Sequence, residues 1–479
     1  MGSNLSYYKW FGKIVSILID TFFILAVLSS LFVLTSFVSS SLRYLLFGSV
    51  FLVYILIIHF FKEKIQILIR NLIEKLRSLS MRQMFIIIVS VSLITKIIYS
   101  FLFSFDSTQS GDIGIYNEIA EQIIATGELR SSAISHLFGM AAHMALMKAI
   151  GMPLHIGMYI AILLGTLFNF FSVSKIIGKE KSFLAAMVFV LMPSTSLLSF
   201  CITHEVLVYL YLSAFMCMVT VFLRETEQGK EYLFAFLMIL SIILTCMVNP
   251  AGYVIYVILV LLILLTNVSK NKKIILAAVL ILSIGGSKGI DKLIDVDEHH
   301  TTLNTYSILI HGSYIGSMGE QQDGLPHLKM REYLTAHNLE FNDENFEIAA
   351  RAVLLDQYKY LLTHPVDLFR IIIHKIYIQW SGVHYPMELA HVYHAMNDVV
   401  YYGMLGINTL IYLIMLSIHV VFKNEHQDDI HITNYKLVVL GVLGITMLSV
   451  VLNKYLLYIT LYIYFLSLAD SEFEVKNEL

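Results

Sequence analysis

Apolar stretches of about 20 residues recur along nearly the whole chain, and an α-helix of that length reaches the roughly 30 Å of a bilayer's hydrocarbon core. Twelve are expected as spans, near residues 13–38, 44–61, 84–104, 153–177, 182–199, 204–223, 232–249, 251–268, 274–290, 399–422, 436–452 and 455–469. Only 14% of the 479 residues are charged, against about a quarter in a soluble domain, which excludes a soluble enzyme. The expected fold is an all-α polytopic membrane protein. A net charge of −3 and a pI near 6.6 leave no basic stripe for nucleic acid. Cys201, Cys217 and Cys246 lie in or beside apolar stretches and imply no disulfide framework. No small-residue cleavage site follows the first residues, so the first span is expected to stay uncleaved.

Short loops rich in Lys and Arg stay cytoplasmic. Six basic residues fall in 62–82, and the loops holding Lys179/Lys181, Arg224/Lys230, Lys270/Lys272/Lys273 and Lys423 add eight on the same side. The opposite connections contribute only Arg43 and Lys454, so both termini are expected in the cytoplasm. All six prolines (Pro153, Pro193, Pro250, Pro326, Pro365, Pro386) then fall on or near the outer side, where breaker-rich backbone can build a site. The expected organisation is an N-terminal transmembrane hairpin with a basic cytoplasmic linker (1–83), a transmembrane core (84–290) carrying a first outer loop (105–152), a large outer loop (291–398) and C-terminal transmembrane helices (399–479). No Walker-type G-x-x-x-x-G-K-[ST] and no G-x-G-x-x-G after a strand occurs, which argues against ATP-driven transport and against a nucleotide cofactor.

The first outer loop, SFDSTQSGDIGIYNEIAEQIIATGELRSS, sets Asp106, Asp112, Glu118, Glu121 and Glu128 against the single base Arg130. Tyr116, Ile119, Ala120, Ile123 and Ile124 repeat with helical period, predicting an amphipathic helix along the membrane surface that ends before Gly127. Asp112, just before it, suits an N-cap at the positive helix end. A carboxylate partly desolvated at the membrane boundary also suits a general base, and the two roles are compatible. The next stretch, 136–151, would break the charge parity if it spanned, so it reads as a re-entrant or interfacial helix. His136 and His143 share a face there, which fits a polar stripe toward the headgroups better than a metal pair.

Asp112-x-x-x-Tyr116, Ala120, Thr126-Gly127 and the Pro153 span resemble the first outer loop of GT-C membrane glycosyltransferases, the superfamily that includes protein O-mannosyltransferases and lipid A aminoarabinose transferases. The resemblance implies a catalytic carboxylate at Asp112, with Asp106 as alternate. Thr203-His204-Glu205 opens an outer-facing span where many members place a second acid, although a Thr cap with a first-turn Glu accounts for it equally well. Gly312 through Asp323 is similar to the family's Gly-rich segment, and Asn453-Lys454-Tyr455 stands where the family has an Arg-Tyr pair. Lys454 keeps the charge there but loses the bidentate fork.

In the large outer loop a helix is predicted over 342–363, capped by Asn342 or Asp343, with an apolar stripe from Phe346 to Leu362 and a break at His364-Pro365. The following VDLFRIIIHKIYIQW is too charged and too short to span and ends in Trp380, so it is expected in the outer leaflet. Arg370 and Lys375 then sit at the depth of a lipid phosphate, or simply snorkel. His384 belongs with the loop's Tyr and His residues, which suit sugar contacts. No zinc motif occurs, and neither metal nor cofactor is expected. Within the spans Asp20, expected near the cytoplasmic end, and Lys96, leading into the acidic loop, are the conspicuous charges.

The resemblance therefore implies an outward-facing, inverting transferase that moves a sugar from a polyprenyl-phosphate donor to a glycan, lipid or protein acceptor in cell-envelope assembly. Asp112, Asp106 and Glu205 form the catalytic set, and Tyr116, Arg130, His204, Arg370, Lys375, His384, Lys454 and Tyr455 the substrate-binding set. A lipid-linked saccharide flippase, or a non-catalytic subunit of an envelope-assembly complex, is the alternative. The richness in Lys, Ile and Asn fits a bacterial plasma membrane.

Overall fold

In lipid every backbone N–H and C=O must pair inside its own segment, and the apolar stretches of this chain do so as helices. The computed structural model describes residues 13–14, 17–28, 31, 40–102, 112–127, 138–200, 202–249, 252–265, 268–294, 306–307, 309–310, 312–314, 325–381, 397–422, 430–448 and 457–469. In chain order the helices are α1 (Ile17–Leu28), α2 (Ser40–Arg77), α3 (Met81–Leu102), α4 (Asp112–Thr126), α5 (Phe138–Ala149), α6 (Leu154–Ile177), α7 (Lys179–Leu191), α8 (Pro193–Leu197) and α9 (His204–Arg224). They continue as α10 (Gln228–Val248), α11 (Gly252–Leu265), α12 (Lys270–Leu293), α13 (Leu325–Ala336), α14 (Asp343–Thr363), α15 (Pro365–Ser381), α16 (Asp398–Phe422), α17 (Ile430–Leu448) and α18 (Leu457–Ala469). Among the described residues, α3, α6, α9, α10, α12 and α16 are long and apolar enough to cross a membrane, six of the twelve expected spans.

Three features differ from expectation. The span at 44–61 and the basic segment after it form one 38-residue helix, α2, about 57 Å long at the helical rise, because Lys, Arg and Glu are good helix formers and nothing in that stretch breaks the turn. The stretch 182–199 is divided at Pro193, which starts the short α8. Leu362, assigned to the apolar stripe of α14, is 78% exposed.

The Pro193 break exposes backbone groups that local hydroxyls and one distant amide recover. Ser194 N–H donates to Asn408 Oδ1 on α16 at 3.2 Å, Ser196 Oγ donates to the Val190 carbonyl at 2.7 Å, and Thr195 Oγ1 donates to the carbonyls of Phe189 and Met192. The PSTS sequence thus supplies a break and its repair together.

Close packing of α6 on α9 depends on Gly165, where a Cβ would come within 2.6 Å of the Tyr209 ring. Polar pairs add to that contact: Thr166 with Tyr209 (3.2 Å), Asn169 Nδ2 donating to Ser213 Oγ (2.8 Å), and Ser172 with Tyr435 of α17 (2.9 Å). Helix α1 belongs to the same core, with Ile19, Phe22, Phe23, Ala26 and Val27 buried and Phe23 stacked on Tyr464. Asp20 Oδ1 lies 2.7 Å from Nε2 of His419, near the end of α16 that leads to the basic side.

At that basic end two lysines close helix termini. Lys272 Nζ donates to the carbonyls of Phe222, Leu223 and Glu225 at 2.8–2.9 Å, covering the last turn of α9. Lys179 Nζ donates to the carbonyls of Arg77 (3.1 Å) and Leu79 (2.6 Å), after the end of α2. Orphan carbonyls and the negative end of the helix dipole both favour an ammonium there.

Candidate functional site

The site lies at the end of the bundle opposite these lysines, where α9 begins and α4 packs. Thr203 holds the extended N-cap conformation (φ −126°, ψ 144°), but its hydroxyl makes no cap bond, which departs from the Thr-cap reading; the Oγ1 is buried with no hydrogen-bond partner among the described residues. Glu205, in the first turn, is 0% exposed, and one carboxylate oxygen lies 2.9 Å from His204 Nε2. The other ring nitrogen of His204, Nδ1, lies 3.4 Å from the hydroxyl of Tyr116, and the two rings meet edge to face at 88°. The imidazole thus stands between the two side chains, its Nε2 at ion-pair distance from the carboxylate and its Nδ1 beside the Tyr116 hydroxyl.

Tyr116 is presented by α4, whose periodic residues behave as the sequence predicts. Tyr116, Ile119 and Ala120 are buried, Ile123 packs against the same core, and the helix ends at Gly127 with a left-handed φ of +67°. The helix starts at Asp112 itself rather than after it, which puts Asp112 one turn ahead of Tyr116. Helix α5 supports α4 from below. At 12 residues, about 18 Å, it is too short to span. Its Gly139 touches the end of α10, where a Cβ would meet the Met247 carbonyl oxygen at 2.6 Å. Lys148 Nζ on α5 reaches Glu121 on α4 at 2.9 Å and holds that carboxyl below the usual range. His143 of α5 is half-buried against α6 rather than turned out, and burial lowers its pKa.

Of the remaining residues expected at the site, Asp106, Arg130, His384, Lys454 and Tyr455 lie outside the described residues, as does His136. Arg370 is on the exposed side of α15, its guanidinium 3.4 Å from Asp367 one turn away. Lys375 on the same helix is buried, and burial pushes its ammonium down to about 8. Asn342 caps α14, accepting the Asn345 N–H at 2.9 Å, and the break at His364-Pro365 is present. Helix α13, which packs under α14 through Met330 and Leu334, has too weak an apolar pattern to be anticipated.

Lys96 is also buried. Its ammonium donates to Ser199 Oγ at 2.7 Å and sits 3.1 Å from the centre of the Phe200 ring. These two residues belong to the turn that joins α8 to the start of α9, so Lys96 and the His204–Glu205 pair share one short connection. The run of Ser and Thr after Pro193 was the available signal for this second polar cluster. Among the described residues no group of three His, Cys, Asp or Glu side chains could hold a metal ion.

No family model matches the chain, and no curated protein does. It is similar to three solved structures. ArnT from Cupriavidus metallidurans in the apo state is 11% identical with a TM-score of 0.39, covering 81% of this chain and 77% of that one. The same enzyme bound to undecaprenyl phosphate is 9% identical with a TM-score of 0.36, covering 80% and 77%. The oligosaccharyltransferase of Archaeoglobus fulgidus, in complex with Zn and sulfate, is 11% identical with a TM-score of 0.35; 78% of this chain matches 53% of that one. Both proteins are GT-C glycosyltransferases. The superpositions are loose, and neither protein assigns a residue, donor or acceptor to this chain.

Proposed function

We propose that this protein is a membrane glycosyltransferase that takes a sugar from a polyprenyl-phosphate donor and transfers it to an acceptor hydroxyl at the outer end of the bundle. The observation that carries the reading is the chain Tyr116–His204–Glu205, which fastens the helix headed by Asp112 to a wholly buried acid. An acidic loop helix that served only as a surface segment needs no such anchor.

In this reading Asp112 is the general base. It takes the proton of the acceptor hydroxyl as that oxygen bonds to the anomeric carbon, and the bond from that carbon to the phosphate oxygen breaks, releasing polyprenyl phosphate. Direct displacement inverts the anomeric centre. Glu205, beside His204, acts through the imidazole by the charge it places 2.9 Å from Nε2 and so on the docking of Tyr116, which makes His204 and Glu205 positioning residues. Inside the bundle Thr166 pairs with Tyr209, the Asn169 amide N–H with Ser213 and Ser172 with Tyr435, which favours a packed scaffold over a carrier's hydrophilic path.

The test is turnover of polyprenyl-phosphate sugars by purified protein in nanodiscs. Asp112→Asn is expected to abolish transfer while donor binding persists. Glu205→Gln is expected to lower kcat, leave KM for the donor unchanged and displace the acidic limb of the pH profile. Full activity of Asp112→Asn defeats the proposal.

A further inference from the structure

We propose that the last turns of α2, from Phe61 to Arg77, bind the headgroups of anionic lipids in the leaflet at the basic end of the bundle. The span expected at 44–61 takes up most of the roughly 30 Å of a hydrocarbon core, and the helix then runs on for 16 residues, about 24 Å at the helical rise. Two contacts fix where this extension goes. Gln66 Nε2 donates to the Val421 carbonyl at 3.5 Å, one residue before α16 ends. The Arg77 carbonyl accepts from Lys179 at the head of α7, and α3 begins four residues later, at Met81. Helices α3 and α16 are both long and apolar enough to cross a membrane, so Gln66 and Arg77 stand at the same boundary of it. The stretch between them, about 16 Å of helix, therefore lies across that boundary instead of projecting away from it.

Ile69, Ile73 and Leu76 are buried and seat the extension on the bundle. Beside them Phe61, Lys64, Leu68, Leu72 and Lys75 follow one another at steps of three or four residues, so they form one stripe along the helix, and all five are exposed. The acids of the extension lie elsewhere on its surface. Glu74 falls between Arg70 and Arg77 on a separate stripe, with Glu63 seven residues before Arg70. No residue three or four away from Lys64 or Lys75 is an acid, so the charge of both lysines is uncompensated along the helix. Lys64 Nζ lies 5.4 Å from the centre of the Phe61 ring, beside the apolar part of its own stripe.

A stripe that alternates large apolar side chains with lysines suits a bilayer surface, where the apolar groups enter the acyl boundary and the long lysine stems carry their ammonium groups to the phosphates. The absence of an acid from that stripe selects anionic over zwitterionic headgroups. An acidic soluble protein would meet the same cations, but the level of the stripe, between the ends of two spanning helices, favours lipid as the occupant. This surface is independent of the transferase reading and stands or falls without it.

The experiment uses the full chain in phosphatidylcholine nanodiscs, with a fluorophore at Asn71→Cys, an exposed position next to the stripe, and Cys201, Cys217 and Cys246 changed to Ala. Quenching is compared between brominated phosphatidylglycerol and brominated phosphatidylcholine at the same mole fraction. With both lysines in place, phosphatidylglycerol is expected to be enriched at the probe by about fivefold or more, the scale of one lysine at an anionic surface, and high salt should reduce the enrichment. Lys64→Gln combined with Lys75→Gln should bring the two lipids to equal quenching, while Lys64→Arg with Lys75→Arg should retain the preference. Equal quenching by both lipids with the lysines in place overturns the proposal, as does an enrichment that survives the double Gln change. Quenching by neither lipid also overturns it and turns the stripe over to a soluble acidic partner.

Discussion

The hydroxyl of Tyr116 lies 3.4 Å from Nδ1 of His204, across 88 residues of chain, and so keys helix α4 to the residue beside the buried Glu205. Tyr116→Phe keeps the ring and removes only that contact. Transfer is expected to fall about tenfold, as for one weakened positioning hydrogen bond, with the thermal midpoint nearly unchanged. A loss of stability without loss of turnover would make the contact structural only.

Two glycines in helices make opposite predictions. Gly139 has no room, since a Cβ would strike the Met247 carbonyl, whereas nothing lies within 4 Å of Gly229. Gly139→Ala should force α5 off α10 and cost about 1–3 kcal/mol, while Gly229→Ala should gain up to about 1 kcal/mol from helix propensity. Thermal unfolding of the two variants in one detergent decides the matter.

Lys272 closes the end of α9 with three charge-assisted hydrogen bonds. Lys272→Met leaves those carbonyls to water and should destabilise the protein by about 1–3 kcal/mol without changing donor affinity, because the site is at the other end of the bundle. Unfolding and binding measured on the same preparation separate the two effects.

Burial lowers Lys375 from its ordinary value of 10.5 to about 8. Between those pH values the unfolded chain keeps a proton that the folded chain has shed, so stability rises with pH across that window and does not depend on this group below it. Lys375→Met should abolish the rise. Midpoints recorded from pH 7 to 10 for both proteins check this, and parallel curves would show that Lys375 is ionised in the fold throughout.

Much of the local structure was readable because it is set by neighbouring residues. The apolar stripe and Gly127 bound α4, Asn342 starts α14, and Pro365 forces the break before α15. Charge parity argues against a span over 136–151, and the helix found there, α5, is only 12 residues long. What escaped the sequence depends on distant partners. The Lys-rich loops gave an orientation, but not that Lys179 and Lys272 would each reach a helix end. Nothing near Pro193 announces that Asn408, 214 residues away, repairs the break. His204 and Glu205 stand out in the sequence by their place at a helix start, while their link to Tyr116 depends on the fold. Lys96 was legible as an expensive charge, though not the turn that receives it.

The reach of Lys179 to the carbonyls of Arg77 and Leu79 bears on how the chain can be cut. Residues before 80 look dispensable, since they precede the helices that carry the acidic loop. Yet truncation there would strip an ammonium at the head of α7 of its two acceptors, and would remove the α1 residues that pack on Tyr412 and Tyr464. A shortened protein would lose a keystone of the bundle along with its leading helices, so expression trials should preserve the N-terminal segment intact.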